Sequence, residues 1–223
     1  MKWEAKTMAV KVKIYSDYVC PFCLLGKDQF EKAAEGKDVE VEWLPFELRP
    51  RPSQPLDPVN DPAKLALWKQ AIYPRIEAWG VDMKLPRVSP HPYTDLAHEG
   101  FCYAKEHHKA KEYNDRLYKA FFQEEKNIGD LDVLAALAAE VGLDGVAFKA
   151  ALETRKYKDV HQQALKHAYQ EAQITGVPTF IIGEERLSGA ASKEVFEQVL
   201  DQEIARTTNE VKGMQCSLDG ESC

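Results

Sequence analysis

Residues 16–25 read SDYVCPFCLL, and the fold follows from what lies on either side of this stretch. Upstream, VKVKIYSDY alternates, which places Val10, Val12 and Ile14 on one face of a strand ending near Tyr15. Downstream, Pro21 stands where a helix begins, because a proline at the first helical position gives up an N–H that would have no partner there. The helix then runs through PFCLLGKDQFEKAAEG to Gly36, with Leu24, Phe30 and Ala34 available to a core. A second alternating run, VEVEWLPFEL, sets Val39, Val41 and Trp43 on one face. The opening is therefore β-α-β, with Cys20 and Cys23 at its first strand-to-helix turn.

From Leu56 to Gln173 the period becomes helical. Leu65, Trp68, Ile72, Ile76 and Trp79 recur at steps of three and four, with Pro74 marking a kink or break. Aromatic stripes and the run Leu131, Leu134, Leu137 and Val141 continue the pattern and read as core. After Gly176, VPTFIIGEERLSG gives two short strands around a Gly-Glu-Glu turn, and SKEVFEQVLDQEI gives a helix with Val195, Val199 and Ile204 on related faces. A β-α-β half and a β-β-α half separated by helices predict an α/β chain of thioredoxin-like fold with a large all-helical insertion. The expected boundaries are 9–55 with 174–206 for the thioredoxin-like domain, 56–173 for the insertion, and 207–223 for a flexible C-terminal tail.

The 223 residues suffice to bury a core without staples. Charged residues make up 29% and the net charge is -7, which argues against electrostatic binding to nucleic acid or an anionic membrane. The N-terminus MKWEAKTMAVKVKIYSDY lacks the apolar stretch and cleavage site of a signal peptide, so a cytoplasmic location is expected. There a CxxC is more often catalytic or metal-binding than a structural disulfide.

A thiol exchanges disulfides as thiolate, and the first turn of a helix offers unpaired amides and a favourable dipole to the Cys20 sulfur. Cys23, three residues on, lies on nearly the same face. This assigns Cys20 as nucleophile and Cys23 as resolving thiol. In the second half, TGVPTF puts Val177 and Pro178 at a turn before a strand, where the Val177 backbone can pair with an extended substrate. The ordered motifs SDYVCPFC, a helical insertion and GVPTFIIG followed by LSGA resemble the DsbA-like thioredoxin-fold family, and more closely its cytosolic FrnE-like branch, over residues 10–205.

The resemblance implies a thiol-disulfide oxidoreductase with Cys20 and Cys23 as the redox pair and Pro178 as the cis proline; Val177, Phe22 and Pro21 would contact substrate. It implies no cofactor beyond the redox-active disulfide itself, with a thiol donor such as glutathione or thioredoxin. The partners are protein or small-thiol disulfides, with no nucleic acid and no membrane, for a monomer or homodimer. Phe22 departs from the histidine that secreted relatives usually carry inside the motif.

Cys216 and Cys223 form a second pair in the tail, and from Ala205 to Cys216 an extended chain spans roughly 35 to 40 Å. A relay between this pair and Cys20 with Cys23 is one expectation; exposed tail thiols without a role are the other. Cys102 reads as a small buried hydrophobe. Glu47 reads as a surface carboxylate, and His107, His108, His161 and His167 as residues of solvated helix faces. Two other functions compete. One is a zinc module built from Cys20, Cys23, Cys216 and Cys223. The other is a glutathione-dependent isomerase or transferase similar to the kappa-class group, which typically has serine at the position of Cys20.

Overall fold

Strand β1 (Val10–Ser16) turns alternate residues inward: Val10, Val12 and Ile14 are buried while Lys11 and Lys13 are exposed. The computed structural model describes residues 9–219, and the side chains of residues 9–209. Helix α1 (Pro21–Ala34) follows, with proline in its first turn, and strand β2 (Val39–Pro45) returns parallel to β1 with Val10 opposite Val39 and Ser16 opposite Pro45. On α1, Cys23, Leu25, Phe30 and Ala33 are buried, whereas the expected Leu24 and Ala34 are half-buried. Val41 is 38% exposed because β2 is an edge strand, so the expected apolar face of that strand is only partly covered.

Seven helices fill the chain before the sheet resumes. They are α2 (Pro62–Leu67), α3 (Tyr73–Trp79), α4 (Asp95–Glu106), α5 (Ala110–Phe122), α6 (Leu131–Glu140), α7 (Gly145–Glu153) and α8 (Lys158–Lys166). Pro74 acts as anticipated. Having no N–H to give, it leaves the ladder to slip, so that the Tyr73 N–H reaches back to the Trp68 carbonyl across a π-helical turn at Trp68–Ile72. Asp61, Asp130 and Asp144 cap α2, α6 and α7, each carboxylate accepting two first-turn N–H groups.

Strand β3 (Thr179–Ile182) pairs antiparallel with β1, and β4 (Glu185–Ser188) pairs antiparallel with β3. The sheet order is β2-β1-β3-β4, the thioredoxin-like arrangement anticipated from the motif order. Gly183, with φ of 57°, makes the hairpin turn, and the buried Glu203 carboxylate accepts the adjacent Glu184 N–H at 3.1 Å. Helix α9 (Lys193–Asp219) closes one face: Phe196 and Leu200 pack with Phe30 and Phe180, while Val195, expected inward, is exposed. Burying these aromatic rings, with centroids 4.6 to 5.6 Å apart, supplies the bulk of this core.

The tail expectation needs correction. Residues 207–219 continue α9 as helix, and the hydroxyls of Thr207 and Thr208 donate back to the Glu203 and Ile204 carbonyls at 2.9 and 2.8 Å. A helix advances about 1.5 Å per residue, so Cys216 lies about 16 Å along the axis from Ala205, well short of the extended reach. The Cys216 side chain and the whole of Cys223 lie outside the described residues.

Candidate active site

The loop between β1 and α1 builds the site. The Cys20 N–H donates to the Asp17 carbonyl at 3.1 Å, and the Cys20 carbonyl accepts from the Cys23 N–H at 3.0 Å, which fixes Cys20 at the helix cap. Its backbone is extended there (φ -88°, ψ 114°), and its side chain makes no cap bond, so the thiol is left for other partners. That partner is the Val177 carbonyl, which accepts from Cys20 Sγ at 3.6 Å across 157 residues of sequence. Cys23 lies deeper, 1% exposed against 3% for Cys20, and both are free thiols. Burial, followed by the neighbouring Cys20, holds the Cys23 thiol well above its ordinary range, while the Asp17 N–H and the Ser16 hydroxyl pull the other way.

The second wall of the site is the 176–179 loop. The Val177–Pro178 bond is cis, Pro178 is buried, and its carbonyl accepts the Gly189 N–H at 2.7 Å. Thr179 Oγ1 donates to the Gly176 carbonyl at 2.8 Å and ties the loop to the start of β3. Gly26 lets α1 approach: a Cβ there would lie 3.1 Å from the Phe180 ring and 3.2 Å from Pro178 Cγ. Sequence reading passed over Gly26, although a glycine inside a helix is a signal of close packing.

Cys20, Pro21, Phe22 and Val177 thus come together, and with Leu48 and Trp68 they line a cleft of about 270 Å³ beside the thiol. Arg49 and Lys64 stand at the same cleft. The Arg75 guanidinium lies 5.9 Å from the Phe22 ring centroid, which places a cation near the middle of the CPFC motif.

Behind the loop is a buried polar cluster, and two of its members, Glu47 and His161, were expected on the surface. Glu47 is 4% exposed and its carboxylate meets His161 Nε2 at 2.6 Å, with His161 wholly buried. The His161 ring stacks on His98 at 5.3 Å, and His98 packs on Tyr18 at 4.7 Å. Asp17, also buried, accepts the Leu48 N–H at 2.7 Å and lies 3.8 Å from His98 Nε2. Glu47 and His161 are 114 residues apart, so local pattern gives no sign that they meet. Their burial is explained by pairing, since a lone buried charge would cost far more.

Cys102 is half-buried rather than buried, and burial with the Glu99 carboxylate nearby raises its thiol to about 11. His107 packs flat on Tyr103, and His167 meets Glu171 at 2.9 Å. Among the described residues no group of three or more His, Cys, Asp or Glu is arranged to hold a metal ion, and the tetrathiolate alternative depends on Cys216 and Cys223, whose thiols lie outside the description. No described helix is long and apolar enough to cross a membrane.

Comparison with known proteins agrees with this geometry. The chain is 63% identical over 196 residues to the uncharacterized protein YwbO of Bacillus subtilis (strain 168), covering 88% of this chain and 98% of that one. Among solved structures it is similar to a probable DsbA oxidoreductase from Streptomyces coelicolor, with a TM-score of 0.70 at 28% identity over 87% of this chain and 89% of the other. A 2-hydroxychromene-2-carboxylate isomerase shares the fold, with a TM-score of 0.72 at 18% identity over 90% and 98% of the two chains. The DSBA-like thioredoxin domain matches residues 11–201, a span that holds the CPFC turn, the helical insertion and the cis-proline loop, and the chain belongs to the DsbA-like family.

Proposed function

We propose that this protein is a thiol-disulfide oxidoreductase of FrnE-like type, acting in the cytoplasm on protein or small-thiol disulfides. The observation that carries the reading is the Cys20 thiol at the N-terminus of α1, facing the Val177 carbonyl at 3.6 Å, with Cys23 one turn deeper in the same helix. In the reductive direction the Cys20 thiolate attacks a substrate disulfide and one substrate sulfur leaves as thiolate. Cys23 then attacks Cys20 Sγ, the mixed disulfide breaks, and the second substrate sulfur leaves; two electrons pass to the substrate as the Cys20–Cys23 disulfide forms. A thiol such as glutathione, or a thioredoxin, returns the pair to its reduced state by the same exchange.

The residues around Cys20 support a bound peptide or thiol. Phe22, Leu48 and Trp68 offer an apolar wall, and the backbone of the half-buried Val177, which lines the same cleft, offers strand-like pairing. Two thiols in the motif favour exchange over the isomerase chemistry of the structural relative, because a mixed disulfide needs a resolving sulfur. Part of the same reading is that Cys216 and Cys223 exchange with the CPFC pair; equal turnover of the full chain and of a chain ending at Thr208, with every reductant tried, would remove that part.

The test of the main reading is insulin reduction by dithiothreitol, followed as turbidity, together with mass spectrometry of trapped adducts. Cys20→Ser is expected to bring the rate to the uncatalysed level. Cys23→Ser is expected to accumulate a mixed disulfide on Cys20. Activity that survives Cys20→Ser overturns the assignment.

A further inference from the structure

The cleft beside Cys20 carries cations and no carboxylate. Arg49 and Lys64 line it, His91 adds an imidazole, and among the described residues no Asp or Glu contributes to its wall. That is the reverse of the chain as a whole, whose net charge is -7. Arg75, with its guanidinium 5.9 Å from the Phe22 ring centroid, adds a further cation close by.

Both lining cations are anchored by the elements that build the site. Arg49 follows Leu48, whose N–H donates to the Asp17 carboxylate at 2.7 Å, and the Asp17 carbonyl accepts the Cys20 N–H at 3.1 Å. The loop that carries the nucleophile therefore also fixes the backbone leading to Arg49. Lys64 lies on α2, which leads into Leu67 and Trp68 on the same cleft. Among the described residues neither side chain forms an ion pair, in contrast to Arg51, which pairs with Asp95 at 3.3 Å and lies over the Tyr93 ring at 3.9 Å. The carboxylates nearest Lys64 in the chain are engaged by other donors. Asp57 accepts from Ser89 Oγ at 2.6 Å and from Asn60 Nδ2 at 2.9 Å, and Asp61 accepts the Ala63 and Lys64 N–H groups at 2.9 and 3.3 Å. Arg49 and Lys64 also line a second pocket, of about 460 Å³, with Ser53, Asn60 and the engaged Asp57 and Asp61. The two cations thus stand at a junction, with the thiol and its apolar wall on one side and hydrogen-bonding groups on the other.

We propose that the cleft selects disulfides bearing a carboxylate beside the sulfur, with Arg49 and Lys64 as the residues that determine this specificity. The inference rests on the exchange reading above and narrows its substrate class. A thiolate attacking an anionic disulfide meets like-charge repulsion, and a chain of net charge -7 adds to it. Two local cations offset that repulsion, and a guanidinium can hold a carboxylate by two parallel hydrogen bonds. The carboxylate takes no part in the exchange: sulfur-sulfur bonds form and break, and electrons pass, as in the reductive sequence given above.

The test reacts the reduced, full-length chain with dithiodipropionate, hydroxyethyl disulfide and cystamine, disulfides of similar size that carry carboxylates, hydroxyls and ammonium groups. Acid quench, alkylation and mass spectrometry of the Cys20 peptide give each rate. Dividing by the rate of mercaptoethanol with the same disulfide removes intrinsic reactivity. A second arm uses two peptide disulfides that differ only in Glu or Lys beside the cysteine. The wild type is expected to prefer the acidic partner, and Arg49→Gln and Lys64→Gln are each expected to lower the acid-to-neutral ratio about two- to fivefold, the size of a solvent-screened charge contact. Arg49→Glu should invert the order, and raising salt from about 0.02 M to about 0.5 M should narrow it. An effect in the small disulfides alone assigns the carboxylate to a small thiol, and an effect in the peptides assigns it to acidic protein segments. Ratios equal to wild type in both arms, or slowing shared equally by acidic, neutral and basic partners, overturn the inference. Failure of every disulfide to oxidise Cys20 in the wild-type chain would instead overturn the exchange reading itself.

Discussion

Gly100 sits in the middle of α4, where helix propensity alone favours alanine by about 1 kcal/mol. Packing reverses that preference. A Cβ at this position would lie 2.3 Å from the Tyr113 hydroxyl and 2.6 Å from the Phe148 ring, and both residues are fully buried. Gly100→Ala is expected to destabilise the chain by about 1–3 kcal/mol, the usual cost of overpacking. Urea unfolding monitored by circular dichroism checks it, and a stabilised variant would contradict the packing.

At the scale of elements, α8 and the end of β2 are tied by the Glu47–His161 pair at 2.6 Å. Glu47→Ala leaves a buried imidazole facing no carboxylate and is expected to cost about 3–5 kcal/mol. If Glu47 were the surface residue that its residue type suggests, the same change would register within about 0.5 kcal/mol. A double-mutant cycle with His161→Ala separates the pair's coupling from cavity effects. This pair marks the limit of what the sequence discloses. Strand alternation in VKVKIYS, the Pro21 helix start and the Pro74 break are local signals, and they placed the CPFC turn and the element order correctly. Partnerships such as Glu47 with His161 and Ser16 with Tyr118 join residues more than a hundred positions apart, where no local pattern links them. The threonine pair at the start of the expected tail misleads for another reason. Thr207 and Thr208 have modest helix propensity, yet their hydroxyls are satisfied within α9, whose earlier turns are held against the sheet by Phe196 and Leu200.

For the whole molecule, the buried phenols of Tyr18, Tyr113 and Tyr118 and the Cys102 thiol are all raised by burial first. The sign of their linkage is definite. Below the ordinary thiol and phenol values of 9 and 10, folded and unfolded chains both hold these protons, and the groups add no pH dependence. Above them the unfolded chain releases protons that the folded chain keeps, so stability is lost as pH rises, through about 11 for Cys102 and at pH well above the ordinary phenol range for the tyrosines. Thermal melts at increasing alkalinity should show Tm falling by at least about 4 °C once phenol ionisation begins, given about 2–4 °C per kcal/mol for a chain of this size. Tyr118→Phe should flatten that fall. The contact between Cys20 and Val177 also sets an order of events during synthesis. With 157 residues between them and translation at about 5–20 residues per second, the nascent chain carries its thiol pair for roughly 8–30 s before the strand that faces it has been made. The thiols are thus exposed to adventitious oxidation as an unfinished chain, and they become an enclosed site only after the loop at Val177 and strand β3 have been made.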